Sequence, residues 1–166
     1  FSEQSENALK TAASIATKYG SEIFVLHMLE LSEALVSSNE QAHYEQAVFL
    51  IKLAEKRFET FLEKPYLKGI KVTPIVKHHK VYSEVNEVAE KHQADLIVMG
   101  SRGTDGIKEI FVGSNAEKMV RNSNVPVLVI KDYIEGFEVK RFVFACDFEE
   151  ENLEPFQRAK NLADKF

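Results

Sequence analysis

A loop rich in small residues carries the groups of this chain that are best suited to hold an anion. It includes Gly100, Ser101, Arg102 and Gly103, and it resumes after nine residues as Gly113-Ser114-Asn115. Glycine lets the backbone turn sharply and approach a ligand closely, and the first turn of a helix offers N–H groups that no helix carbonyl accepts. Together with the partial positive charge of the helix end, such N–H groups bind phosphate. The Arg102 guanidinium is either a partner for that phosphate or a solvated loop charge.

The neighbouring elements place this loop between a strand and a helix. Residues 94–99 form an apolar run that is typical of a buried strand, and residues 116–121 have the spacing of a short helix. Helical spacing also covers residues 2–19, 39–61 and 81–92, and short apolar runs predict strands at 23–26, 71–76 and 127–130. Alternation of this kind predicts an α/β fold with a parallel, doubly wound sheet and right-handed crossovers.

The pattern Gly-x-x-Gly, nine residues, Gly-Ser-Asn resembles the nucleotide-binding signature of the universal stress protein family. The resemblance extends over residues 1–131, where the predicted elements are similar to that family's first helix and its second, fourth and fifth strands. It implies a five-stranded sheet in the order 3-2-1-4-5. It also implies ATP or another adenine nucleotide as the ligand, and a regulatory role in the stress response.

The residues that match the family's motif are implied by the resemblance to form a phosphate site. They are Gly100, Arg102, Gly103, Gly113, Ser114 and Asn115. The glycines have the alternative role of ordinary turn residues, and Ser114 that of a helix N-cap. Met28 and Met99 fall near the carboxyl ends of predicted strands, where they either fill the core or contact the adenine face.

Little in the sequence points to metal binding or to rapid catalysis. The carboxylates of Asp105 and Glu109 are more typical of solvated loop charges than of groups that assist Mg²⁺ bound through the phosphates. The five histidines show no metal-ligand spacing with Cys146, so no protein metal site is predicted. No nucleophile with a neighbouring base is visible, so we expect ATP hydrolysis to be slow at most and leave open whether the chain is an enzyme.

The family's first strand has no counterpart before the first predicted helix of this sequence. In the family an aspartate follows that strand and holds the base and ribose side of the nucleotide, and this aspartate has no counterpart before the first helix either. Residues 141–146 have the apolar pattern of that strand, Asp147 follows them, and a helix is predicted from about residue 152. A shift of 147 positions aligns Tyr19 with Phe166 and predicts an internal repeat. The alternative is two unrelated amphipathic helices.

The repeat predicts a piece of a tandem protein. Residues 1–131 form one domain without its first strand, residues 132–140 a linker, and residues 141–166 the first strand and helix of a second repeat. The predicted strand at 141–146 either fills the empty first-strand position, in its own chain or in a neighbouring copy, or belongs to a separate second domain.

Composition narrows the classes of function. The 166 residues are 45% hydrophobic and 28% charged, as in a globular protein with a core. The net charge of −5 argues against a general nucleic-acid or acidic-membrane binder, and no apolar run approaches the roughly 20 residues that span a bilayer. The single cysteine fits a reducing compartment, so we expect a cytoplasmic protein.

Two functions from different classes fit these patterns. The first is an ATP-binding regulatory protein that changes shape or partners with nucleotide occupancy, and the alternative is a nucleotide-free interaction module. In either case residues 125–130 are the predicted outer strand, whose exposed edge favours a homodimer or a tandem pseudo-dimer. A third, weaker possibility is an enzyme of the wider adenine-nucleotide α-hydrolase group, whose phosphate loop follows the first strand.

Overall fold

The computed structural model describes residues 2–29, 41–78, 81–101, 113–147 and 149–166. Its elements are α1 (Glu3–Tyr19), β1 (Ile23–Leu29), α2 (Gln41–Leu62), β2 (Val72–His78), α3 (Val81–Lys91), β3 (Ile97–Gly100), α4 (Ser114–Asn122), β4 (Val127–Ile130) and α5 (Leu153–Ala163). Short 3₁₀ turns at Pro65–Leu67 and Glu150–Asn152 precede β2 and α5. The predicted α/β class is confirmed. None of the helices in these ranges has the length and apolar content needed to cross a bilayer.

α1 begins and ends at residues whose chemistry stops a helix. The hydroxyl of Ser2 accepts from the Ser5 N–H at 3.2 Å, and the hydroxyl of Ser5 accepts from the Ser2 N–H at 2.9 Å, which closes a capping box. At the other end Gly20 takes a left-handed conformation with φ of 65°, which ends the helix. Between them, Leu9 and Ala13 are buried against β1 and the 3₁₀ turn.

The strands form two parallel pairs. β1 pairs with β2, with Ile23 opposite Val72, and β3 pairs with β4, with Ile97 opposite Val127. These pairings are those expected of neighbours in the predicted order. In the described part of the chain no ladder joins β1 to β3, so the order of a continuous five-stranded sheet stays a prediction.

The strand predicted at residues 141–146 does not form in this structure. Val143 is 96% exposed and Phe142 is 48% exposed. Cys146, which was expected to lie in this buried strand, is half-buried. A strand exists only where a neighbour accepts and donates its backbone hydrogen bonds, and residues 141–147 take part in no ladder of the described chain. Before it, the Glu138 carboxylate lies 2.7 Å from the Lys18 ammonium, at the end of α1.

The contacts after the segment hold α5 against the same end of the fold. The Arg158 guanidinium donates to the Asn124 carbonyl at 2.7 Å, and Lys165 pairs with Asp95. Asn124 lies three residues before β4 and Asp95 two residues before β3, so α5 lies near the amino ends of these strands. The Tyr19 hydroxyl completes this contact by donating to the Phe166 carbonyl at 2.9 Å.

Candidate functional site

A cavity of about 310 Å³ lies between the two strand pairs. β1 and β3 border it along their lengths, and α1 and α3 contribute apolar side chains that include Leu9 and Val88. Met28, Met99 and Gly100 all line it. The structure therefore brings together three of the predicted site residues at the carboxyl ends of β1 and β3.

Gly100 lies against the first turn of α1. A Cβ atom at this position would stand 2.9 Å from the Gln4 carbonyl carbon, carbonyl oxygen and Cβ. Real Cβ atoms do not approach backbone so closely, so only glycine accommodates the helix here. Gly100 therefore sets how near the start of α1 comes to the end of β3.

A hydrogen bond joins the end of β3 to the beginning of α4. The Gly113 N–H donates to the Ser101 carbonyl at 2.6 Å, and Ser101 itself is only 6% exposed. Its hydroxyl oxygen is buried and has no hydrogen-bond partner among the described residues. Buried hydroxyls nearly always have a partner, so this atom is an unsatisfied polar group at the end of β3.

The sequence places Ser101 in the glycine loop but indicates no role for this residue itself. It lies between two glycines at the end of a predicted strand, which is the signal that would have found it. That signal is weak because a serine in such a loop is usually solvated. Only the fold shows that this serine is buried.

The start of α4 differs from one expectation. Gly113 is the N-cap, with φ of −60° and ψ of 150°, and Ser114 is the first helical residue, so the alternative role of Ser114 as N-cap is wrong. A glycine cap has no side chain to accept from the first-turn N–H groups. Ser114 and Asn115 are exposed beside those groups. The helix start is thereby accessible to a ligand.

Buried side chains on the inner face of α4 fix its position. Ala116 is 2% exposed and Met119 is 1% exposed, and Met119 also lines the cavity. Because both side chains are anchored, the first turn of α4 stays next to the end of β3.

Arg102 and Gly103 lie outside the described residues, as do Asp105 and Glu109. The roles assigned to them from the sequence therefore stay predictions. Within the described ranges, no three His, Cys, Asp or Glu side chains gather as a metal site would require.

Asp147 is exposed and lies in the segment that leads to α5. Its carboxylate accepts from the Asn152 side-chain amide and from the Glu149 N–H at 3.3 Å. This arrangement is that of a carboxylate at the start of a helix. Among the described residues no hydrogen bond or ion pair joins Asp147 to β3 or α4, so its role at a nucleotide stays a prediction.

Two histidines lie close to this part of the fold. His92 lines the cavity, where its ring stacks on Phe24 with 4.2 Å between the ring centroids. His27 in β1 lies 5.8 Å from the Phe58 ring, and burial lowers the pKa of His27 below its usual value. Burial therefore disfavours the charged form of the His27 imidazole.

The family model, the similar sequences and the similar solved structure all point to the same protein family. The model of the Universal stress protein family matches residues 1–131. Universal stress protein MJ0577 of Methanocaldococcus jannaschii is 31% identical over 145 residues, covering 79% of this chain and 90% of that protein. Universal stress protein G of Escherichia coli O157:H7 is 33% identical over 130 residues, covering 78% and 90%. The solved structure of MJ0577 matches with a TM-score of 0.69 at 32% identity, over 81% of this chain and 92% of that one.

Proposed function

Because this chain belongs to the universal stress protein family, we propose that it binds ATP or another adenine nucleotide and acts as a regulatory protein of the stress response. The proposed site lies at the carboxyl ends of β1 and β3 and at the start of α4. The observation that carries it is the buried Ser101 hydroxyl without a partner, directly beside the hydrogen bond that joins Ser101 to Gly113.

The phosphates are proposed to lie at the first turn of α4. A phosphate oxygen there accepts from the first-turn N–H groups and from the Ser114 hydroxyl, and it gives the Ser101 hydroxyl the acceptor that it lacks. The partial positive charge of the helix start favours the anion. In this proposal the Asn115 amide and the Arg102 guanidinium complete the phosphate contacts, and Gly103 keeps the loop close to the ligand.

The adenine is proposed to lie at the mouth of the cavity, between Met28 and Met99. Thioether side chains are soft and polarisable, and they adapt to a flat aromatic face. Asp147 contributes to the base and ribose side once residues 141–147 reach the carboxyl edge of the strands. Mg²⁺, if bound, is held through the phosphates rather than by protein carboxylates.

Calorimetric titration with ATP tests the phosphate site. Gly113 has an extended backbone conformation that valine also adopts, so we expect Gly113→Val to fold with its side chain at the proposed ligand position. We expect this change to weaken ATP binding at least tenfold. Ser123→Ala is the matched control, because Ser123 follows the other end of the same helix. Equal affinities of Gly113→Val and the natural chain would place the phosphates elsewhere.

The regulatory role is proposed to work through assembly in the cytoplasm. The outer edge of β4 has no ladder partner among the described residues, and an apolar strand edge invites pairing with another copy. We therefore propose a homodimer or a tandem pseudo-dimer through residues 125–130. In the tandem form, residues 132–140 are the linker and residues 141–166 begin the second repeat.

A nucleotide-free interaction module remains the second candidate, because apolar side chains of the 141–146 segment are exposed. Val143 and Phe142 are the most exposed of these side chains. A mass spectrum of the freshly purified, denatured protein separates the two functions. Adenine nucleotide that co-purifies supports the proposed binding function, whereas its absence favours the interaction module.

A further inference from the structure

The end of β4 lies directly beside Ser101, on the side of β3 that faces away from the cavity. The Ser101 N–H donates to the Ile130 carbonyl at 2.8 Å, which continues the ladder of β3 and β4 by one bond. Gly100 is opposite Ile130 in this ladder, so the next residue of the second strand, Lys131, follows beside Ser101. Neighbouring strands are about 4.8 Å apart, so the backbone of Lys131 lies about one strand spacing from Ser101.

The packing of Gly100 indicates which face of the strands carries the Lys131 side chain. A Cβ atom on Gly100 would meet Gln4, so position 100 faces α1. Because successive residues of a strand point to opposite faces, Ser101 and its neighbour Lys131 point to the face away from α1. α1 contacts both β3 and β4, which leaves that second face to α4, which also contacts β4. The Lys131 side chain is thus on the same face as α4.

A lysine at this position has the length needed to reach a ligand at the start of α4. The Gly113 N–H, which begins that helix, lies 2.6 Å from the Ser101 carbonyl oxygen. Ser101 is therefore the common neighbour of Lys131 and of the helix start, and its own buried hydroxyl has no partner in the described part of the chain. A lysine side chain extends about 6 Å from its Cα atom, which exceeds one strand spacing.

The positive charge of Lys131 is not neutralised by a neighbouring carboxylate. Lys131 is exposed, and among the described residues its ammonium group forms no hydrogen bond or ion pair. Glu117, the acidic side chain in the first turn of α4, is bound to the Arg121 guanidinium at 3.1 Å. Asp132 follows Lys131 and by the same alternation belongs to the α1 face. An unpaired cation therefore stands next to a helix start that itself favours anions.

The position of Lys131 relative to the proposed adenine site decides which phosphate it meets. The adenine is proposed to lie between Met28 and Met99, at the ends of β1 and β3. β4 pairs with the other side of β3 and contributes none of the described cavity lining. A nucleotide that extends from the cavity across the start of α4 therefore reaches Lys131 with the phosphate that is farthest from its ribose.

We propose that Lys131 binds the terminal phosphate of a nucleoside triphosphate and makes the site selective for ATP over AMP. This inference rests on the proposed nucleotide site and adds the residue that distinguishes ligands by their number of phosphates. A hydrogen bond between an ammonium group and a phosphate oxygen is charge-assisted, and such bonds are roughly twice as strong as neutral ones. The single phosphate of AMP is joined to the ribose and stays at the start of α4, so AMP gains little from Lys131.

Calorimetric titration of the natural chain and of Lys131→Met, each with ATP and with AMP in buffer without Mg²⁺, tests this selectivity. We expect Lys131→Met to raise the dissociation constant for ATP about tenfold or more, and that for AMP less than about twofold. Lys68→Met is the matched control, because Lys68 is also exposed but lies before β2, at the opposite end of the strands. It removes the same charge, and we expect it to leave the ratio of the two dissociation constants unchanged.

Lys131→Arg keeps the positive charge, so we expect it to retain the preference of the natural chain for ATP. An ATP-to-AMP ratio that is the same in Lys131→Met and in the natural chain would overturn this inference and leave the proposed nucleotide site standing. Equal loss of ATP affinity in Lys131→Arg and Lys131→Met would also overturn it, because the charge would then not be the cause. Absence of binding of both nucleotides to the natural chain would refute the proposed function itself, and this inference with it.

Discussion

Replacing Gly100 by alanine tests whether close packing of α1 on β3 supports the candidate site. The new Cβ atom would lie 2.9 Å from three atoms of Gln4, of which two belong to the backbone. Backbone within a capped helix does not move aside as the end of a flexible side chain does, so α1 must shift. Forcing an extra carbon into a packed contact costs about 1–3 kcal/mol. The lower entropy of the unfolded alanine chain offsets about 0.4–1 kcal/mol of this cost.

We therefore expect Gly100→Ala to lower the free energy of unfolding by about 1–2 kcal/mol, which is about 2–8 °C in melting temperature for a chain of this size. The assay is urea unfolding followed by circular dichroism, with thermal melts in parallel. Gly20→Ala is the control for backbone strain alone, because Gly20 has φ of 65° and nothing within 4 Å of an added Cβ. Hydrogen exchange in the first turn of α1 should rise for Gly100→Ala and stay unchanged for Gly20→Ala.

A double variant separates backbone contact from side-chain contact. Gln4→Ala keeps the carbonyl carbon, the carbonyl oxygen and the Cβ that the new methyl group meets, so it should not rescue Gly100→Ala. Because the nearest atoms to the new methyl group are all kept in Gln4→Ala, the coupling free energy between the two changes should be below about 0.5 kcal/mol even though the residues are in contact. An unchanged unfolding midpoint for Gly100→Ala, or full rescue by Gln4→Ala, would refute this account of the contact.

Three further predictions concern the charged linker, a buried histidine and the core. Hydrogen bonds from Lys18, which has the larger effect, and from Lys140 lower the pKa of Glu138 to about 2. The contribution of this carboxylate to folding stability is therefore complete above its ordinary pKa of 4.5 and is lost as the pH falls toward 2. Carboxyl NMR titration should show that Lys18→Met raises this pKa more than Lys140→Met does. Burial lowers the pKa of His27 below its ordinary value of 6.5, so the free energy of unfolding should fall as the pH drops below 6.5. The urea midpoint of His27→Gln should fall less over the same pH range than that of the natural chain. Phe58 is 2% exposed, so Phe58→Ala should cost about 3–5 kcal/mol in urea unfolding, whereas the exposed Phe49→Ala should cost less than about 0.5 kcal/mol.

Local chemistry was enough to predict most of the helices and strands. The apolar spacing of α1 and the glycine that ends it are both readable in the sequence, because a helix closes its hydrogen bonds within four residues. The apolar runs of β1 and β3 are recognisable because strands covered on both faces exclude polar side chains. The glycine pattern indicated the family, since its residues lie close together along the chain.

Other features depended on contacts between distant parts of the chain. A strand needs neighbours, so the apolar pattern of residues 141–146 did not determine whether that segment pairs, and in this structure it does not. Likewise, only the packing of α4 on β3 shows that Ser101 is buried without a partner and that Gly113, not Ser114, caps the helix. Burial and strand pairing belong to the assembled fold, because each is set by atoms far away in sequence, whereas helix periodicity and helix stops are set by residues within a few positions.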